Sequence, residues 1–168
     1  MLDEALQEAL NNQINLEFES MYAYLSMAAH FEGVNLQGFA RWMRFQSEEE
    51  QAHAMRLFDY VLERDGRVVL QAIKQPSAEF GSPIEVFRQA LAHEQKVSRA
   101  IHDLYALAAS ESDYAAQAML QWFIEEQVEE EDTARTIVAH LEMIGDDKAA
   151  LFLLDRELGA RRDAPEGA

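Results

Sequence analysis

The sequence predicts an all-α fold: a four-helix bundle with a long crossover between its second and third helices and a short fifth helix near the C-terminal end. Three observations predict it. The seven glycines and three prolines lie between, or at the margins of, four long stretches, and both residue types punctuate helices. Inside those stretches apolar residues recur at helical spacing, and no segment alternates as a half-buried strand would. The stretches are joined short, long, short, which makes the second connection travel the length of a bundle.

The first helix is expected from about Asp3 to Phe31, with Leu6, Leu10, Ile14, Met21, Leu25 and Ala28 on its inner face. A turn through Gly33, Val34 and Asn35 leads to a second helix over about Leu36 to Arg64, marked by Phe39, Met43, Ala54, Leu57 and Val61. Residues 65–81 contain Gly66, Pro76 and Gly81 and read as the crossover. Ser82-Pro83-Ile84-Glu85 then combines a cap, a proline at the first helical position and a capping-box glutamate. This third helix continues to about Ala109 through Phe87, Leu91, Val97, Ile101 and Tyr105. Beyond a short acidic turn at residues 110–113, the fourth helix runs to about Ile144 along Leu120, Phe123, Ala134, Ile137 and Leu141. A fifth helix is expected over residues 147–158, so that 1–158 form one domain and 159–168 a flexible tail.

Composition narrows the function classes. Half of the 168 residues are hydrophobic (49%) and 27% are charged, an ordinary globular balance. No apolar run approaches the roughly 20 residues that cross a membrane. The segment after Met1 has no basic, apolar signal character, so a cytoplasmic location is the expectation. There is no cysteine, which removes disulfides, Fe–S clusters and thiolate zinc sites together. Fourteen basic residues face 31 acidic ones, a net charge of −17, and this disfavours nucleic-acid or anionic-membrane partners.

The informative residues are the polar ones on inner stripes that ought to be apolar. Glu17 shares the first helix's stripe with Ile14, Met21 and Tyr24. Glu50 and His53 interrupt the second, Glu94 the third, and Gln127 with Glu130 the fourth. Their register repeats. Glu17 and Glu50 are 33 residues apart, as are Glu94 and Gln127, and each second member is followed three residues later by His53 or Glu130. Two helical hairpins with matched registers bring all six side chains to one centre. A single residue of this kind would usually be a hydrogen-bonded or edge-exposed polar group, but six in matched register are not explained so.

Buried carboxylates protonate or cost several kcal/mol unless a countercharge meets them. Two divalent cations, about +4, balance Glu17, Glu50, Glu94 and Glu130. A pair at i and i+3 can chelate one ion from one helical face. Oxygen ligands with one imidazole suit iron or manganese.

Over Leu2 to about Leu158 the chain resembles the bacterial non-haem ferritins. The resemblance is carried by EFESMYAY at residues 17–24, EEEQAHA at 48–54 and QWFIEEQVEEE at 121–131. It implies a first iron site of Glu17, Glu50 and His53 with Glu50 bridging, a second completed by Glu94 and Glu130 with Gln127 beside it, and Tyr24 as the tyrosine next to the di-iron centre. A third iron site, of Glu49, Glu126, Glu129 and Glu130, is implied toward an inner cavity. The implied function is iron storage with ferroxidase activity: Fe(II) is oxidised by O₂ or H₂O₂ and deposited as ferric oxyhydroxide within a shell of 24 subunits, the fifth helix lining its four-fold axes. Gln51 stands where bacterioferritins carry a haem-ligating methionine, so no haem is expected. Gln127-x-x-Glu130 replaces the second Glu-x-x-His of many di-iron enzymes, which implies looser iron at the second site. The acidic three-fold pore of animal ferritins is not reproduced, because its positions fall near Gln117 and Leu120.

Three rivals differ in testable ways. A rubrerythrin-type di-iron oxidase or peroxidase would not store metal. A helical scaffold would not oxidise iron. A DNA-protecting mini-ferritin would place its ligands between subunits. Trp122 reads as packing or as an electron donor beside the irons. Met21, Met27, Met43, Met55, Met119 and Met143 read as core or interface filler, and His30, His93, His102 and His140 as surface or interface residues off the ligand register.

Overall fold

The computed structural model describes residues 2–160. Among them are five helices and no strand: α1 (Glu4–Gly33), α2 (Gln37–Glu63), α3 (Pro83–Ser110), α4 (Tyr114–Ile144) and α5 (Lys148–Ala160). Among the described residues no helix is long and apolar enough to cross a membrane. α1 packs most extensively on α2, and α3 on α4; α1 also meets α3, and α5 docks on α2. The expected element order stands. α5 extends through Gly159 and Ala160, into the segment expected as tail, and the remainder of that segment, 161–168, lies outside the described residues.

Local chemistry sets the ends. Asp3 caps α1, its carboxylate accepting from the N–H groups of Ala5 (2.8 Å) and Leu6 (3.3 Å). At the start of α3, Glu85 accepts from both the N–H and the hydroxyl of Ser82, each at 2.7 Å, with Pro83 at the first helical position. α4 stops at Gly145, whose φ of +55° is open to glycine and disfavoured for most side chains.

α2 lacks a cap of its own. Instead Asp155 of α5, buried, accepts from the N–H of Phe39 at 2.8 Å. The close approach this requires explains Gly38: a Cβ there would fall 1.7 Å from the Asp155 carbonyl oxygen, and one at Gly159 would fall 2.6 Å from Gly38 Cα. The crossover is tied along α1. Asn11, itself buried, donates to the Arg67 carbonyl (3.0 Å) and accepts from the N–H of Val69 (2.8 Å), while Gln7 accepts from the N–H of Arg67 (2.6 Å).

The interior consists of two apolar clusters with a polar layer between them. One holds Tyr24, Phe31, Phe39, Trp42, Met43 and Phe87 among others. The other gathers Leu6, Leu10, Ile14, Leu57, Ile101 and Leu120 with their neighbours. Two inner-face expectations for α1 are corrected: Leu25 is 43% exposed and Met21 half-buried. One residue past Tyr24 is a turn of about 100°, which carries Leu25 off the face occupied by Tyr24, Met27, Ala28 and Phe31. Met143, 78% exposed, is no core residue.

Candidate metal centre

The polar layer contains Glu17, Glu50, His53, Glu94, Gln127 and Glu130, all buried, with Glu17, Glu50 and Glu94 at 0% exposure. α1, α2, α3 and α4 each contribute at mid-length. Glu17, Glu50 and His53 each offer a ligand atom within 4.8 Å of the others. His53 Nδ1 lies 3.7 Å from Glu50 Oε2. The i, i+3 spacing on α2 thus presents both side chains to one point, and α1 brings Glu17 to it.

On the α3–α4 side, Tyr24 donates its hydroxyl proton to Glu94 Oε1. The Gln127 amide nitrogen lies 3.2 Å from Glu94 Oε2, 3.2 Å from the Glu94 carbonyl oxygen and 3.3 Å from Ser98 Oγ. Two further amides escape the inner-stripe pattern. Gln13 donates to Glu17 Oε1 and Gln46 to Glu130 Oε2, both at 2.8 Å, and both glutamines are buried. Gln13 lies one turn before Glu17 and Gln46 one turn before Glu50, but only their contacts in the folded bundle set them apart from glutamines on a helix edge.

Every one of these donors goes to Glu17, Glu94 or Glu130. Both oxygens of Glu50 and Oε2 of Glu17 are buried and receive no hydrogen bond from any other side chain or from the backbone; their one hydrogen bond is with each other, a protonated Glu50 donating to Glu17. Buried carboxylate oxygens are rarely left so, and Glu17 and Glu50 each bring one within 4.8 Å of a His53 ring nitrogen.

Electrostatics agree with the geometry. Burial, followed by the negative charges of Glu94 and Glu17, holds the Glu50 carboxyl well above the ordinary carboxylate range. Burial also raises Glu94, pushes Glu17 up to about 7, and pushes Glu130 up to about 9 with help from Glu94, Glu49 and Glu126. Burial, then Arg56, lowers His53 to about 4, so its imidazole is neutral and free to ligate near pH 7. Such a layer binds protons or cations, and a divalent ion competes with protons for it.

The other residues expected at or near the site are distributed around this layer. Glu49 and Glu126 are half-buried and Glu129 is exposed. Trp122 is half-buried with its ring edge-on to His53 (centroids 5.4 Å apart) and with the Arg56 guanidinium 4.0 Å above it. His93 is half-buried, and its Nε2 lies 2.6 Å from Ser20 Oγ on α1.

Comparison with known proteins adds an independent line. The Ferritin-like domain family matches residues 7–144. The bacterial non-heme ferritin of Staphylococcus aureus (strain USA300) is 39% identical over 161 residues, covering 96% of this chain and 97% of that protein. That of Staphylococcus haemolyticus is 40% identical over the same span. Among solved structures, an open pore ferritin from the hyperthermophilic archaeon Archaeoglobus fulgidus superposes with a TM-score of 0.96 at 48% identity, covering 96% of this chain and all of that one. A closed form engineered from the Archaeoglobus fulgidus ferritin gives 0.95 at the same identity, over 96% and 99% of the two chains. With its bundle, its polar layer and these relatives in agreement, the chain belongs to the ferritin family.

Proposed function

We propose that this chain is an iron-storage subunit with ferroxidase activity, oxidising Fe(II) at a di-iron centre within the subunit and depositing ferric oxyhydroxide inside a homo-oligomeric shell. The observation that carries the reading is the pair of buried carboxylates Glu17 and Glu50, met by no donor but each other, beside the neutral imidazole of His53. Iron is the substrate. One ion is assigned to Glu17, Glu50 and His53 and a second to Glu94 and Glu130, with Glu50 bridging; Glu50 alone has two oxygens free to serve both. Tyr24 and Gln127 hold Glu94 in position through their hydrogen bonds. Glu49, Glu126 and Glu129, with Glu130, are assigned to a third iron site, and the negative charge of Glu49 and Glu126 beside Glu130 supports drawing a cation to that end.

Two adjacent ferrous ions deliver two electrons together to O₂ or H₂O₂, which avoids one-electron products. With O₂, four Fe(II) are oxidised per dioxygen, and hydrolysis of the ferric product releases protons. The excess of acid over base in the chain suits the attraction of cations and the solubility of a large assembly. A 24-subunit shell in the cytoplasm without haem completes the reading; the bacterial non-heme ferritins among the relatives support it. A rubrerythrin-type oxidase without storage is not favoured, since the matched relatives are ferritins over nearly their full length.

Aerobic addition of Fe(II) to the purified assembly tests the proposal. Ferric absorbance should appear well above the buffer rate and remain soluble with a large particle. Glu50→Ala should abolish rapid oxidation and leave particle size unchanged. A monomer or dimer on size exclusion would remove the storage reading, and unaltered kinetics in the variant would discard the site.

A further inference from the structure

Gln127 is also held by a pair, Ser98 and Glu131, to which neither the inner-stripe pattern nor the family motif gives a role. Ser98 lies on α3, four residues beyond Glu94, and is 6% exposed. Its hydroxyl donates to Glu131 Oε1 on α4 at 2.6 Å. A serine hydroxyl has one proton. Once that proton is committed to the Glu131 carboxylate, Ser98 Oγ can only accept, and the group 3.3 Å away on Gln127 must be its NH₂. The same nitrogen reaches the Glu94 carboxylate and carbonyl at 3.2 Å. The other oxygen of Glu131 faces Arg135 one turn along α4, 3.6 Å away. Glu131 therefore has one oxygen toward a surface cation and the other toward the interior.

We infer that Ser98 and Glu131 are positioning residues: together they lock the Gln127 amide as a hydrogen-bond donor to Glu94 and so hold that carboxylate in place for the second metal ion. The inference rests on the di-iron reading above and deepens it. Glu94 is then gripped from two sides, by Tyr24 on one oxygen and Gln127 on the other. Without Ser98 as acceptor, the Gln127 NH₂ keeps only the Glu94 carboxylate and carbonyl oxygen, and the amide loses the third contact that fixes its angle toward Glu94. Glu131 acts at the far end of this chain without touching metal. Its place in the acidic run of residues 129–132 gives the appearance of a solvated charge.

Anaerobic titration of the demetallated assembly with Co²⁺, read from its visible ligand-field bands, tests this without turnover. In the native assembly the two ions of the di-iron centre should enter in distinguishable steps. Ser98→Ala and Glu131→Ala should each weaken the step assigned to Glu94 and Glu130 by about tenfold or more, the usual effect of losing a residue that orients a ligand. The step assigned to Glu17 and His53 should be unmoved. Glu131→Gln removes the charge but keeps an oxygen that can accept from Ser98, and should restore most of the lost affinity. A general packing defect would weaken both steps and would not be rescued. Two steps with native affinities in Ser98→Ala and Glu131→Ala would overturn the positioning role and leave the di-iron centre intact. Failure of the native assembly to bind Co²⁺ at all would count against the centre itself.

Discussion

Glu50 shows at the scale of one residue how far binding and stability are opposed. Its carboxyl is fully buried between two apolar clusters and neither oxygen has a donor. A buried polar group left unmet costs about 1–3 kcal/mol, and here only a proton shared with Glu17 or a bound cation relieves it. Glu50→Leu, close to isosteric, should therefore raise the stability of the metal-free protein by about 1–2 kcal/mol, or a few degrees in midpoint for a chain of this size. Added Co²⁺ should then give the variant much less further stabilisation than it gives the native chain. Paired thermal melts with and without the ion check both halves, and a destabilised metal-free variant would mean that Glu50 is satisfied by something other than metal. Residue-scale legibility follows the same logic. Glu17, Glu50, His53, Glu94, Gln127 and Glu130 are legible because a charged or amide residue on an apolar stripe is conspicuous. Gln13, Gln46 and Ser98 are not, because their significance lies in what they touch across the bundle, and polar residues of those types are common on helix edges. Leu25 misleads for a related reason: a stripe drawn from apolar identity admits any leucine near it, whereas the helical angle decides.

At the scale of elements, the four long helices are legible from punctuation and period, and the α3 start from its capping box. The docking of α5 is not, since α2 borrows its cap from a residue 116 positions later. Gly38 and Asp155 form one device, a backbone contact close enough for the carboxylate to reach the Phe39 N–H. Gly38→Ala should force the α2–α5 interface apart, and Asp155→Ala should remove the cap, a loss of about 1 kcal/mol for capping alone. In both variants hydrogen exchange should accelerate across α5 and the first turn of α2 while the mid-helix amides of α1, α3 and α4 keep their protection. Uniform protection across all five helices would show that α5 is held by other contacts.

For the whole molecule, four helices meet at one layer that is disfavoured in its anionic state, so metal and proton occupancy set the stability of the bundle. The sign follows from the directions of the shifts. Glu17, at about 7, and Glu130, at about 9, both lie above the usual glutamate value of 4.5, and Glu50 and Glu94 are raised as well. Between the ordinary and the raised values the folded protein binds more protons than the unfolded chain, so stability falls as pH rises through that window. His53 works the other way, since its lowered value of about 4 makes stability fall as pH drops below about 6.5, where an unfolded histidine would protonate. Above pH 6.5 the carboxylates alone remain, and the metal-free assembly should lose thermal stability steadily from about pH 6.5 to about 9. A divalent ion reverses the trend, because it binds the deprotonated layer and so gains affinity as protons leave. The midpoint increase produced by saturating Co²⁺ should accordingly be larger at about pH 8.5 than at about pH 6.5, with net proton release on binding at both. Calorimetry in buffers of different ionisation enthalpy counts those protons. A metal-free midpoint that is flat or rising across the window, or cobalt binding that releases none, would mean that the four carboxylates are already ionised and balanced by some other charge. In that case the countercharge argument for two metal ions would lose its basis.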